Sequence, residues 1–191
     1  MRAIESSVSR SCILNVDFPD WPFRIQGNVL VYSLFEVLGP RFGTVLEDLA
    51  ARFHDAEICV LGWNGDDYLA TYGGYPGFRL DAEDLVSGFW AGLSTNQTNE
   101  SDKYNAGETL YDYIAITGES RQWAVWGQRD WDVALLVVSG PTGGIGSRLA
   151  GRGVDALTDP DYVVMDFGIS RADWESLRSS CASQRIDVES A

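Results

Sequence analysis

The sequence predicts an α+β fold in which about three helices pack on a mostly antiparallel sheet of about six strands. The stretch from Thr109 to Val138 contains three runs of β-branched and aromatic residues separated by short glycine-containing turns, which is typical of a meander. Hairpins of this kind outnumber strand–helix–strand units along the chain, which favours α+β over a parallel sheet. Three amphipathic segments that begin with capping residues account for the helices.

Length and charge set the next limits. The 191 residues suit a single domain over residues 1–191, and we expect loose tails at residues 1–11 and 183–191. An apolar share of 45% is ample for a hydrophobic core. The formal net charge of -14 opposes binding to nucleic acid or an anionic membrane, and it attracts a basic protein partner. The N-terminus has no apolar signal segment, so a cytoplasmic location is expected.

In the N-terminal third, the sequence predicts two strands joined by a loop. Residues 12–16 read as a short strand, and residues 18–23, with two prolines, read as an extended loop anchored by its aromatic side chains. Residues 28–38 are apolar almost throughout. A strand is the preferred interpretation of this run, and a buried helix stays open because periodicity does not separate the two.

The first predicted helix begins at Thr44. Thr44 and Glu47 have the spacing of a capping box, and His54 at the helix end is interpreted as a partner for the last carbonyls rather than as a catalyst. The residues of the buried stripe are Val45, Leu46, Leu49, Ala50 and Phe53.

A hairpin and a second helix follow. Residues 58–61 and 68–72 read as strands joined through Asn64-Gly65, a dipeptide typical of a type I′ turn. Helix-start residues Asp81 and Asp84 complement the helix dipole, and residues 94–107 form a polar loop. The buried stripe of this helix is Leu85, Val86, Phe89, Trp90 and Leu93.

The meander strands are predicted at residues 110–117, 121–126 and 131–138. In the second strand, Trp123 and Val125 face one way, whereas Ala124 and Trp126 face the other. The third strand is apolar on both faces, as expected for a strand covered on both sides.

A further strand at residues 162–167 precedes the last predicted helix. Ser170 and Asp173 have capping-box spacing at the helix start. The side chains that point inward from this helix are Trp174, Leu177 and Cys181.

The glycine-rich segment after the meander resembles the glycine turn of short-chain dehydrogenases. Gly140, Gly144 and Gly146 match that spacing, which implies dinucleotide binding. However, only about a quarter of the chain follows, no Tyr-x-x-x-Lys is present, and two further glycines, Gly151 and Gly153, interrupt the required helix. A flexible connection without a cofactor is therefore the prediction.

Other catalytic motifs are missing from the sequence. Three widely spaced cysteines and a single histidine make a zinc site or a disulfide framework improbable. No Walker loop and no Gly-x-Ser-x-Gly occur. Pairs of carboxylates remain, Asp66 with Asp67 and Asp130 with Asp132, but among 28 acidic residues such pairs arise by chance, so we assign no catalytic or metal-binding residue.

One pattern favours binding. If both hairpins belong to one sheet and point the same way, one end of that sheet, here called the rim, carries aromatic residues among acids. The candidate binding residues are Trp63, Asp66, Asp67, Trp126 and Asp130, with Arg129 and Trp131 beside them. The alternative is that the tryptophans belong to the core and that the acids solvate the turns.

The segment from Trp123 to Val138, WAVWGQRDWDVALLVV, resembles strand pairs of immunity-type bacterial proteins, many of which are acidic α+β domains. The resemblance extends over about thirty residues and implies a non-catalytic acidic protein that masks a basic partner, as an immunity protein neutralises a toxin. A hydrolase or transferase that acts on a small substrate through carboxylates is the alternative.

Overall fold

The computed structural model describes residues 2–65, 75–95, 111–146, 149–158 and 169–184. Within these ranges the chain forms five α-helices and six strands, with single turns of 3₁₀ helix between some of them. In chain order they are α1 Arg2–Val8, β1 Asn28–Ser33, α2 Leu34–Val37, α3 Gly43–Phe53, β2 Glu57–Trp63, β3 Gly77–Asp81, α4 Leu85–Thr95, β4 Tyr113–Gly118, β5 Trp123–Gln128, β6 Val133–Val138 and α5 Arg171–Ser183.

The six strands form one sheet in the order β1-β6-β5-β4-β2-β3, and every neighbouring pair is antiparallel. The predicted α+β class with a mostly antiparallel sheet is therefore confirmed. The meander β4-β5-β6 lies inside the sheet, and each of its strands is buried along its whole length. The third strand starts two residues later than predicted because residues 129–131 form a turn of 3₁₀ helix.

The sheet is covered on both faces, as the apolar third meander strand predicted. One core packs α2, α3 and α4 against the face that carries Trp123 and Val125. The other packs α1, the N-terminal loop and α5 against the face that carries Ala124 and Trp126. Full burial of one large apolar side chain contributes about 1.5–3 kcal/mol, so both cores hold the meander in place.

The apolar run at residues 28–38 contains both a strand, β1, and a short helix, α2. β1 ends at Ser33, whose side chain accepts a hydrogen bond from the Glu36 amide at 3.2 Å, while the Glu36 carboxylate accepts from the Ser33 amide at 2.8 Å. This capping box starts the short helix α2. The preferred interpretation as one strand was wrong for residues 34–37, because a capping serine inside the apolar run stops the strand.

Near the N-terminus the structure differs from the expected loose tail and short strand. Residues 2–8 form α1, and Val8 and Ser11 are fully buried. The Thr117 hydroxyl lies 3.1 Å from the Ser11 hydroxyl, which joins this segment to β4. Cys12 makes only an isolated bridge to Phe23, so the predicted strand at residues 12–16 was wrong. Phe18 and Phe23 are buried, as expected for the anchored loop.

The predicted hairpin after β2 is described only in part. The described partner of β2 on this side is β3, with Leu61 opposite Gly77. Gly65 has a φ of 74°, but Asn64 is not among the described residues with positive φ, and a type I′ turn requires both. Residues 68–72, the predicted strand, lie outside the described residues, as do residues 96–107 and 162–167.

Two of the three predicted helix starts need comment. The capping box at Thr44 was wrong: α3 begins at Gly43, and the Thr44 hydroxyl donates to the Arg41 carbonyl at 2.8 Å. A turn of 3₁₀ helix at Pro40–Phe42 runs directly into α3, so Thr44 lies inside the helical stretch and not at its N-cap. The capping box of Ser170 and Asp173 is confirmed.

Most members of the buried stripes are confirmed, while Phe53 and Trp90 are only partly buried and pack against the core, and Val86 is exposed. The fully or nearly fully buried members are Val45, Leu46, Leu49, Ala50, Leu85, Phe89, Leu93, Trp174, Leu177 and Cys181. Val86 was predicted to be buried, but its side chain is 39% exposed. It sits one residue after Leu85, and successive residues of a helix point in different directions.

Candidate binding surface

The rim is a row of cross-strand neighbours at one end of the sheet. Trp63 of β2 pairs with Tyr113 of β4, Tyr113 pairs with Gln128 of β5, and Gln128 pairs with Val133 of β6. The two turn regions that the sequence singled out, after Trp63 and after Gln128, therefore lie at the same end of one sheet, as the binding hypothesis requires.

The tryptophans of the rim belong to the core. Trp63 is 3% exposed, Trp126 is fully buried and Trp131 is 6% exposed. Trp63 stacks on Tyr113 with ring centroids 5.2 Å apart and meets Trp126 edge-on at 5.6 Å. These tryptophans are core residues, as the alternative interpretation of the sequence stated. Their rings are therefore not exposed for contact with a partner. Their contribution is to make the rim rigid.

Acidic side chains line an open cleft of about 250 Å³ at this rim, together with Gly65, Tyr113 and Gln128. The two acids have different surroundings. Asp112 forms an ion pair with Arg129 at 2.8 Å and accepts a hydrogen bond from the Gly65 amide at 2.9 Å. Asp130 is exposed and makes no hydrogen bond or ion pair with any residue in the described ranges. Asp66 and Asp67 follow Gly65 but lie outside the described residues.

Tyr113 also lines a second cleft, of about 130 Å³. It is lined by residues 14–17 together with Trp63, Tyr75 and Tyr113. The Tyr75 hydroxyl donates to the Leu14 carbonyl at 3.3 Å, and burial raises the pKa of this phenol. The exposed carboxylate of Asp17 borders the cleft and has no ion-pair partner among the residues that the structure describes. Tyr113 thus lines two clefts, each bordered by an exposed acid without an ion-pair partner in the described ranges.

Gln128 is the most buried polar side chain of the first cleft, at 4% exposure. Its Oε1 accepts a hydrogen bond from the Phe18 amide at 2.9 Å. Because an amide N–H only donates, this contact fixes which end of the Gln128 side chain is the oxygen. Gln128, Asp112 and Asp17 escaped the sequence analysis. The strand register brings Gln128 beside Tyr113, and only the folded chain brings Asp112 and Asp17 to the clefts that this tyrosine lines.

The carboxylate pair of Asp130 and Asp132 does not converge on one space. Asp130 borders the cleft, whereas the Asp132 carboxylate accepts from the Leu34 amide at 3.2 Å at the start of α2. Burial raises the pKa of Asp132, and hydrogen bonds from the Leu34 and Phe35 amides oppose that rise. Glycosidase chemistry needs two carboxylates facing one substrate, and this pair lacks that arrangement.

The histidine and the three cysteines are the remaining candidates for a catalytic base, a nucleophile or a metal ligand. His54 is exposed and ends α3 in the left-handed conformation, where its backbone amide donates to the Ala50 carbonyl. All three cysteines are buried, and burial raises their thiol pKa values, that of Cys181 to about 12. Such thiols are poor nucleophiles at neutral pH. Within the described ranges, no group of three or more acidic, histidine or cysteine side chains is arranged to hold a metal ion.

The glycine-rich segment is held by side chains of α3. The Gly146 amide donates to Asp48 at 2.8 Å, and Arg52 donates to the carbonyls of Pro141 and Gly143. In a dinucleotide site such amides point at the pyrophosphate from a helix start. Here one amide already has a carboxylate partner, and the described residues that follow, 149–158, contain only a 3₁₀ turn.

Comparisons of the chain with protein-family models, with curated proteins and with solved structures find no match. None of the described helices has both the length and the apolar character needed to cross a membrane. The chain is therefore described by its own structure, as an α+β protein with a six-stranded antiparallel sheet and acidic side chains along the rim.

Proposed function

We propose that this chain is a non-catalytic binding protein that uses its acidic rim to mask a basic protein partner, in the manner of an immunity protein that neutralises a bacterial toxin. The observation that carries this proposal is the pair of clefts beside Tyr113, each bordered by an exposed carboxylate, Asp17 or Asp130, without a cation partner among the described residues. The proposal includes a cytoplasmic location.

Charge supports this function. With a net charge of -14, the chain attracts a basic protein over the Debye length, about 10 Å at 0.1 M salt. Complementary charge raises association rates from about 10⁵–10⁶ to as much as 10⁸–10⁹ M⁻¹s⁻¹. Fast association suits a protein that must capture a toxic partner before that partner reaches its target.

The size of the clefts supports a protein partner over a small substrate. Their volumes are about 250 and 130 Å³, whereas pockets for small ligands and cofactors span about 300–1,000 Å³. Clefts of this size fit single side chains of a partner surface. The stacked ring of Tyr113, which lines both clefts, does not move without disturbing Trp63, so the surface is preformed, and preformed surfaces lose less entropy on binding.

The test uses the products of the genes that flank the gene of this chain, purified one at a time. We expect one basic product to bind with an affinity that falls steeply as salt rises from about 0.01 to about 1 M, because the Debye length shrinks from about 30 to 3 Å. We also expect co-expression of this chain to restore growth of cells that produce that product. Isothermal titration calorimetry and growth curves measure the two effects.

Absence of binding to either product, or binding that salt does not weaken, would refute the proposal. Turnover of a small substrate that is abolished by Asp130→Asn would instead support the carboxylate-dependent enzyme that the sequence left as the alternative.

A further inference from the structure

We propose that the cleft between Asp112 and Asp130 is a socket for one arginine side chain of the partner, in which the Asp130 carboxylate pairs with the guanidinium and the Gln128 amide donates to a neighbouring backbone carbonyl. This inference rests on the proposed function and adds to it the chemistry that the rim recognises.

The ion pairs around the cleft indicate that the group it binds is a cation. Asp112 is already neutralised by Arg129 at 2.8 Å, and its other oxygen accepts from the Gly65 amide. Asp130 borders the same cleft and has no cation within the described ranges. One carboxylate is therefore left over, which matches one cationic group. A planar guanidinium presents five donors and suits a cleft bordered by several oxygen atoms better than the compact ammonium of lysine does.

The second feature is a hydrogen-bond donor on a buried residue of the cleft. Gln128 is 96% buried, as its 4% exposure shows, and its Oε1 is occupied by the Phe18 amide. Its Nε2 has no partner in the part of the chain that the structure describes, although Gln128 lines the cleft. We infer that Nε2 is the polar atom that Gln128 presents to the cleft. Nε2 is not among the buried polar atoms that lack a partner, so it is reached from the cleft, where a carbonyl oxygen of a bound peptide would accept its hydrogen bond.

The surroundings hold Gln128 in place before any partner arrives. Phe18, which fixes Gln128, packs edge-on against Trp131 at 5.6 Å, and Trp131 packs against Trp174 at 4.8 Å. A donor fixed in this way loses little side-chain entropy on binding, and the exposed Asp130 carboxylate supplies the acceptor beside it. Together they recognise a cation and a carbonyl at once, which is what an arginine within a polypeptide offers.

The experiment is an NMR titration with N-acetyl-arginine-N-methylamide, with the uncharged citrulline analogue as the matched ligand control. We expect the arginine probe to shift the Gln128 side-chain NH₂ signals and the backbone signals of Tyr113 and Asp130, and the citrulline probe to bind at least about threefold more weakly. Shifts that are equal for the two probes, or that map elsewhere, would overturn the proposal.

Two variants separate the roles. Asp130→Asn should weaken the arginine probe about three- to tenfold. The control Glu119→Gln removes one exposed charge just beyond the opposite end of β4, about 20 Å along the chain from Tyr113 at 3.4 Å per residue, and should change the affinity less than about twofold. Gln128→Glu keeps an acceptor for Phe18 but replaces the Nε2 donor, so it should weaken the arginine probe relative to ethylguanidinium, which has no carbonyl. Urea unfolding establishes that each variant is folded.

The outcomes distinguish the socket from the proposed function. If Asp130→Asn and Glu119→Gln act equally, or if Gln128→Glu leaves the ratio of the two affinities unchanged, the socket is refuted, even where a basic partner still binds in a salt-dependent way. If the arginine probe behaves as expected and neither flanking-gene product binds, the proposed function fails while the socket stands.

Discussion

A buried carboxylate at the sheet end opposite the rim gives the sharpest test of the fold. Asp55 is 4% exposed and accepts hydrogen bonds from the indole N–H of Trp123 at 2.8 Å, from the Ser120 hydroxyl at 3.1 Å and from the Ser120 backbone amide. It thereby joins the end of α3 to the turn between β4 and β5. Asp55→Ala removes all three acceptor contacts while the donors stay in place.

The expected magnitude follows from the donors that are left behind. Trp123 is fully buried and Ser120 is half-buried, and each buried group without a partner costs about 1–3 kcal/mol. Asp55→Ala should therefore lower the free energy of unfolding by about 2–5 kcal/mol, a large share of the roughly 5–15 kcal/mol of a typical domain. Asp55→Asn keeps one acceptor oxygen and should cost less.

Urea unfolding followed by far-ultraviolet circular dichroism measures these values, and a double-mutant cycle with Trp123→Phe isolates the indole contact. Since phenylalanine has no N–H to satisfy, Asp55→Ala should cost about 1–2 kcal/mol less in that background. A loss below about 0.5 kcal/mol for Asp55→Ala, the usual size for surface substitutions, or strict additivity of the two changes would refute this account of the turn.

Three further expectations follow from the structure. Ser170→Ala should cost about 1 kcal/mol because it removes a formed capping box, whereas Thr44→Ala, where no such box forms, should cost clearly less; equal losses in urea unfolding would contradict this. Burial raises the pKa of Asp132 from its ordinary 3.8, so the folded state disfavours the ionised form and stability is lost as pH rises through that folded pKa. Asp132→Asn, which tolerates the φ of 45°, should therefore raise the free energy of unfolding at pH 7, with a gain that shrinks towards pH 3.8; a gain that does not depend on pH would contradict it. The three buried thiols should react with Ellman's reagent only after unfolding, and rapid reaction of the native protein would show that their burial is wrong.

The sequence was informative wherever one local pattern decides the structure. Alternation in the meander placed Trp123 and Trp126 in opposite cores, because side chains of a strand alternate between the two faces. The Ser170 box formed because Ser170 has the extended backbone of an N-cap. At Thr44 the same local pattern failed, since the 3₁₀ turn at Pro40–Phe42 runs directly into α3 and leaves Thr44 inside the helical stretch.

The candidate surface depended on information that a local pattern lacks. The sequence named Asp130 and expected both turn regions at one end of the sheet, where the register places them. It also treated Trp63 and Trp126 as possible anchors, although both rings lie in the core. Gln128 carries no signal as a binding residue in the sequence. Its significance comes from a contact with Phe18, 110 residues away in the chain, and long-range contacts of this kind are not encoded in periodicity.

The most direct test of the central claim is a hydrogen-exchange footprint of the complex with the basic flanking-gene product. The account predicts protection of backbone amides at Tyr113 and at residues 128–130, with none at residues 118–120 at the opposite end of the sheet. Protection confined to that opposite end, or to α3 and α4, would contradict the claim that the acidic rim is the surface that meets the partner.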